Sequence, residues 1–304
     1  MSEKTKNYTG YVIDEGAVQR DMLIRRVGQV GLWVTPIFSY FFLWAPILIL
    51  VIFSFNASRS VSVFTGFTFK WYNNVLNGIV GTEVGFSTSQ LIEALQNSIF
   101  VSVTATIIST IFGTMVALAL SRTNFPGKRI LDSVLFLPVV IPEITQGISL
   151  AIFFNVLFSW WSDLSGVRVT TGFGTIIVAH IAFNISYVTI VVRARLADMN
   201  PRLEEAARDL GANNWQTFWR VTFPLILPGV VAGALLAFTL SLDDYVVTFF
   251  TSGVGTDTLP LFVYGLLKLS VTPEINAIST IMLVVSTILI GISMALQGRN
   301  AIRA

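Results

Sequence analysis

Three carboxylic acids lie in stretches otherwise too apolar to hold them: Glu143, Asp243 and Asp244. Placing a carboxylate inside a membrane-spanning helix costs roughly 2.5–3.5 kcal/mol on insertion scales. Such acids therefore mark a substrate or ion path, or else cap and bridge helices, and both readings stand for these three. If residues 241–250 continue one helix, Asp243 and Asp244 point about 100° apart. The Asp244 face then carries Ala237, Ser241, Thr248 and Thr251; the Asp243 face carries Leu236, Leu240 and Val247, with Thr239. That distribution predicts Asp244 on the path and Asp243 nearer a helix interface. No Lys or Arg occupies the middle of any apolar stretch. An acidic path flanked by Tyr187, Tyr245 or Phe249 favours a cationic substrate, through charge pairing and cation–π contact.

Other chemistry is poorly supplied. The 304 residues include one histidine and no cysteine, so no disulfide and no metal site with sensible spacing is expected. Gly127-Lys128 lacks the upstream glycine and the following Ser or Thr of a phosphate-binding loop, so the chain is not expected to be an enzyme, and ATP, where it is used, is handled elsewhere. A net charge of +2 is too small to suggest nucleic acid.

The elements that must position the acids are membrane helices. With 54% hydrophobic and 12% charged residues and a mean hydropathy of +0.74, this is not the composition of a water-soluble domain. Six stretches approach or exceed the roughly 20 apolar residues a span needs: about 31–55, 97–121, 130–158, 173–192, 225–250 and 275–297. The predicted fold class is all-α, a polytopic protein of six transmembrane helices. Residues 1–30 are expected to be a cytoplasmic tail with a short helix around 18–27 and no signal-peptide pattern. Residues 31–297 form the membrane domain, and 298–304 a second cytoplasmic tail. With the N-terminus inside, fifteen Lys and Arg fall on cytoplasmic segments against four outside, as the positive-inside rule requires.

Several stretches carry further signals. Pro36 and Pro46 are expected to kink the first span. Residues 64–72 alternate as an extended, aromatic interfacial segment. Ser102, Thr106, Ser109, Gly113 and Ala117 give the second span a small-residue face for close helix packing. In the third, Pro138 and Pro142 free carbonyls that lipid cannot satisfy, and Glu143, Gln146 and Gly147 share one face. His180, Asn184 and Tyr187 form a polar stripe on the fourth. Residues 259–265 are a short apolar segment at the membrane edge.

The cytoplasmic loop 193–224 is the most patterned part of the chain. Asn200 and Pro201 suit the start of a helix, and Gly211 suits the left-handed residue that ends one. Asn214 is expected to cap a second short helix carrying Trp215, Phe218, Trp219 and Val221, ending by Pro224. Glu205-Ala206-Ala207, three residues, Gly211, nine residues, then Val221-Thr222-Phe223-Pro224 resembles the EAA loop of ABC importer permeases, E-A-A-x3-G-x9-I-x-L-P. Val221 and Phe223 are mild departures from that pattern. The resemblance implies a coupling helix that docks on a separate ATPase subunit: Glu205 caps or pairs in the docking groove, Ala206 and Ala207 allow close packing, and Gly211 sets the angle between the helices. Ser241-Leu-Asp-Asp244, Leu259-Pro260 and Val271-Thr-Pro-Glu-Ile-Asn-Ala277 are similar to the second permease subunit of spermidine/putrescine importers, where Pro142-Glu143 resembles a Pro-Asp pair. This likeness covers most of 30–295. It implies a bacterial inner-membrane permease that pairs with a homologous permease, two ATPase subunits and an external solute-binding protein, to carry a polyamine. Another organic solute, or ferric iron, is the nearest alternative cargo; an ion-coupled secondary transporter or a membrane scaffold is a distant one.

Overall fold

The computed structural model describes residues 15–58, 63–77, 88–268 and 273–301. Among these the chain is helical, with one isolated antiparallel bridge between Asn56 and Phe67. Among the described residues six helical stretches are long and apolar enough to cross a membrane: Gly31–Phe53, Ser89–Arg122, Glu143–Ser165, Phe173–Ala197, Asn214–Asp243 and Pro273–Ile292.

Helix α1 (Glu15–Phe53) begins well before the first expected span and is helical on both sides of Pro36 and Pro46. Residues 1–14 of the expected tail, and 302–304 at the other end, lie outside the described residues. The segment after α1 is extended only to Phe69. Its turn is organised by Asn56, whose Nδ2 donates to Val63 O and whose Oδ1 accepts from Thr65 N, while buried Trp71 donates Nε1 to Asn56 O at 2.6 Å. From Lys70 the chain is helical again, as α2 (Lys70–Asn77).

The centre is built from three helices in mutual contact: α3 (Thr88–Arg122), α6 (Phe173–Ala197) and α9 (Phe223–Asp243). Their approach is permitted by the small face of α3, where Ser102, Ser109 and Ala117 are fully buried. A Cβ on Gly113 would sit 2.8 Å from the Cβ of Val188, and one on Gly229 would sit 2.7 Å from the Cβ of Arg195. Lipid supplies no hydrophobic drive between helices, so this close packing holds them together.

Two expected spans are corrected. The stretch 130–158 is not one helix: α4 (Lys128–Val140) stops before Pro142 and α5 (Glu143–Ser165) is the spanning element. Proline disfavours the helical conformation at the residue before it, and Ile141 is extended at φ −74°, ψ 133°. The fifth span does not run to 250. It ends at Asp243, and a separate α10 (Val246–Thr251) follows. The short α11 (Leu259–Leu267) packs Leu259, Val263 and Leu266 against Leu91 of α3 and against Ile275 and Ile278 of α12 (Pro273–Ala301). Residues 271–272 of the polyamine-type motif lie outside the described residues.

Candidate functional site

The two helix breaks meet at one cavity. At the first, Pro142 has no N–H to give the carbonyl of Pro138, four residues earlier. Gln146 replaces it: its Nε2 donates to Pro138 O and to Ile141 O, both at 2.8 Å. The predicted polar face of the third span is thus divided. Gln146 is spent on backbone repair, Gly147 receives the ring of Phe250 where a Cβ would lie 2.5 Å from Cδ2, and Glu143 stays exposed.

At the second break Asp244 is extended at φ −67°, ψ 125°, and its carboxylate turns back to cap α10. Thr248 donates both its N–H and its hydroxyl to Oδ2 at 2.7 Å, and Val247 N–H reaches Oδ1 at 3.3 Å. His180, fully buried on α6, places Nε2 3.0 Å from Thr248 Oγ1 and 3.3 Å from Asp244 Oδ2. One turn further along, Asn184 donates to Ser241 Oγ at 2.7 Å. The stripe His180–Asn184 is therefore a polar seam between α6 and α9–α10.

This alters the expected division between the two aspartates, which assumed an unbroken helix. The Asp244 side chain is only 7% exposed and tied into the seam, whereas Asp243 is an exposed residue. Asp243 does meet a neighbouring helix, since Ser286 of α12 donates to its carboxylate at 2.9 Å.

All five residues expected along the path line a single cavity of about 400 Å³: Glu143, Tyr187, Asp243, Asp244 and Tyr245. Among the described residues its remaining wall is Gln146, Thr239 and apolar side chains, with no Lys or Arg. Phe249 does not line it but packs on Tyr245, with ring centroids 5.8 Å apart. Tyr245 also stacks on Tyr264 at 4.3 Å.

At the other end of the molecule, loop 193–224 folds as a knob. In α7 (Arg202–Asp209) the Asn200 side chain accepts Arg202 N–H at 3.0 Å. Gly211 has φ +87°, and Ala212 N–H returns to Ala207 O at 3.0 Å, the six-residue closure of a left-handed helix end. The second helix, α8 (Asn214–Thr217), is capped by Asn213 and not, as expected, by Asn214. Gln216 N–H donates to Asn213 Oδ1 at 2.8 Å, and Gln216 Oε1 accepts Asn213 N–H at 3.0 Å. Nor does this helix end by Pro224. It passes through a π-helical turn, Phe218–Thr222, straight into α9. There Phe223 N–H reaches back five residues to Phe218 O, and Pro224 follows as the second residue of α9. Leu210 (89% exposed) and Trp215 (69%) project from the knob, and Trp215 packs edge-on against Trp219. Glu205 and Ala206 are exposed and Ala207 half-buried.

The sequence reading passed over Glu204. Its Oε1 pairs with Arg122 Nη2 of α3 at 2.9 Å and accepts Thr222 Oγ1 at 2.7 Å. The acid-acid pair Glu204-Glu205 was the available signal, since only one of the two is needed to match the loop pattern.

Residues 109–302 match the family described as binding-protein-dependent transport system inner membrane component. The chain is 38% identical to the spermidine/putrescine transport system permease protein PotC of Haemophilus influenzae, over 86% of this chain and 94% of that one. It is 36% identical to the putrescine transport system permease protein PotI of Escherichia coli K12, over 82% and 84%. Its fold is similar to that in the crystal structure of a bacterial ABC transporter involved in the import of the polysaccharide alginate, with a TM-score of 0.66 at 19% identity, over 93% of this chain and 99% of that one. The breaks, the cavity and the knob thus belong to a multi-pass inner-membrane protein, and the chain is a member of the binding-protein-dependent transport system family, a permease subunit of an ABC importer.

Proposed function

We propose that the chain forms half of the translocation path for a polyamine such as spermidine or putrescine. The observation that carries this reading is the cavity: three carboxylates and two tyrosines converge on about 400 Å³ whose wall, among the described residues, holds no cation. A flexible di- or tri-ammonium chain matches such a wall by charge-assisted hydrogen bonds and by cation–π contact. The names of the relatives at 36–38% identity agree with it. Asp243, exposed and held by Ser286, is the acid best disposed to meet the cargo, with Glu143, Tyr187 and Tyr245 lining the same cavity. Asp244 acts through the seam that fixes the break.

In the same reading residues 1–30 and 298–304 are cytoplasmic tails and 31–297 the permease domain, an orientation supported by the fifteen-to-four distribution of basic residues. A homologous permease completes the path, and an external solute-binding protein delivers the cargo. Two separate ATPase subunits bind and hydrolyse ATP. The knob meets one of them through Glu205, Ala206, Ala207, Gly211 and the Trp215–Pro224 segment. The test is uptake of labelled spermidine and putrescine by cells carrying the complete transporter, with Gly211→Asp alongside. Uptake by the parent and its loss in Gly211→Asp is the expected result. Absence of polyamine uptake, with ATP hydrolysis still stimulated by another solute, would overturn the cargo and leave the importer class intact.

A further inference from the structure

The Glu204 carboxylate joins three elements. It sits in the first turn of α7, pairs with Arg122 in the last turn of α3, and accepts the hydroxyl of Thr222 in the π turn that leads into α9. Both charges also suit the helix ends that carry them, an acid near an N-terminus and a base near a C-terminus. The junction is shielded: the side chains of Glu204 and Arg122 are 12% and 29% exposed, and Thr222 is 4% exposed. Exposed surface pairs contribute little, but a shielded carboxylate with two donors holds its partners at fixed separation. The elements it joins are the knob and two of the three central helices, and α9 leads directly to Asp243 and the break at Asp244.

We infer that Glu204 is a positioning residue that makes the knob and the ends of α3 and α9 one rigid body, so that displacement of the knob reaches the cavity. This rests on the proposed docking of the knob onto an ATPase subunit. Energetic coupling between distant sites needs packed or bonded elements that move together, and a tether lost at the origin lowers it. Glu205, which matches the loop pattern, lies on the exposed side of the same helix; the two neighbouring acids would then divide the work, one outward to the partner and one inward to the bundle.

The test uses the complete transporter in proteoliposomes, measuring labelled spermidine uptake and ATP hydrolysis together, for the parent, Glu204→Gln, Arg122→Gln, the double variant and Thr222→Val. Glu204→Gln is expected to co-purify with the ATPase subunit while uptake per ATP hydrolysed falls roughly tenfold, a coupling change of about 1.4 kcal/mol. The double variant should be no worse than either single one, since one interaction is removed. Thr222→Val, which keeps the ion pair, should lose about threefold and carries the test if Glu204→Gln does not accumulate. A cargo-independent readout is available because the chain has no cysteine: spin labels on Asp209→Cys and Ser121→Cys report the separation of α7 from α3. That separation should stay constant with and without ATP in the parent and vary with ATP in Glu204→Gln. Full coupling and a constant separation in Glu204→Gln would overturn the inference. Retention of the ATPase subunit and of coupling in Gly211→Asp, run in parallel, would instead overturn the docking reading on which it rests.

Discussion

The cavity and the knob solve opposite problems with the same parts, helix ends. In the knob, backbone groups at the ends of α7 and α8 are satisfied by residues one to three positions away: Asn200 for Arg202, Gly211 for the turn, Asn213 and Gln216 for each other. Apolar side chains are left outside, with Leu210 at 89% exposure. At the cavity the C-terminal end of α4 and the N-terminal end of α10 are satisfied by polar side chains, those of Gln146 and Asp244, and two carboxylates, Glu143 and Asp243, stay exposed. Water stands in for a lost cap at the knob but not within the hydrocarbon layer. The knob is therefore built locally and displays apolar surface, while the cavity is built across helices and displays charge.

That contrast can be broken by mutation. The largest loss of stability is expected for Asp244→Ala, which leaves the Thr248 hydroxyl and the Val247 and Thr248 N–H groups without their acceptor and strips His180 of its carboxylate neighbour. Removing one side of a buried polar pair costs roughly 3 kcal/mol, to be measured as the unfolding midpoint in detergent. Gly211→Val should cost about 1–2 kcal/mol, because a residue with a Cβ is strained at φ +87°; a Cβ there meets nothing within 4 Å, so the damage should be confined to the knob. Hydrogen exchange should rise across residues 202–217 and stay unchanged around Asp244. Asn213→Ala should cost about 1 kcal/mol, the usual worth of an N-cap, seen as faster exchange at Gln216 alone. Smallest is Trp215→Ala, within about 0.5 kcal/mol of the parent in stability while co-purification with the ATPase subunit weakens. Equal destabilisation by Asp244→Ala and Asn213→Ala would remove the distinction between the regions.

The same contrast explains what could be read in advance. The knob was readable from sequence because its rules are local: Gly211 takes the left-handed turn its position demands. Even there the cap fell one residue away, on Asn213, since either asparagine fits the pattern and the reciprocal bond with Gln216 decides between them. The π turn was not readable, because its five-residue hydrogen bond lets Trp219 and Val221 keep an apolar pattern close to that of an α-helix. At the cavity, sequence gave the residues but not their roles. Pro138 and Pro142 announced the first break. Nothing as plain announced the second, where Asp244 replaces a helical hydrogen bond with a side-chain cap across residues 244–248. An argument from continuous helical faces therefore rests on a helix that in fact breaks between the two aspartates, and both of them reach the cavity. His180 and Glu204 depend on partners 64 and 82 positions distant, which no local pattern contains.

The most direct test of the account compares Asp243→Asn with Asp244→Asn in the complete transporter, reading the KM for spermidine uptake beside the unfolding midpoint. Asp243→Asn is predicted to raise KM about tenfold with the midpoint unchanged, the loss of one charge-assisted hydrogen bond of about 1.5 kcal/mol. Asp244→Asn is predicted to lower the midpoint with a smaller effect on KM. A raised KM confined to Asp244→Asn, with Asp243→Asn behaving as the parent, would contradict the separation of cargo contact from scaffold.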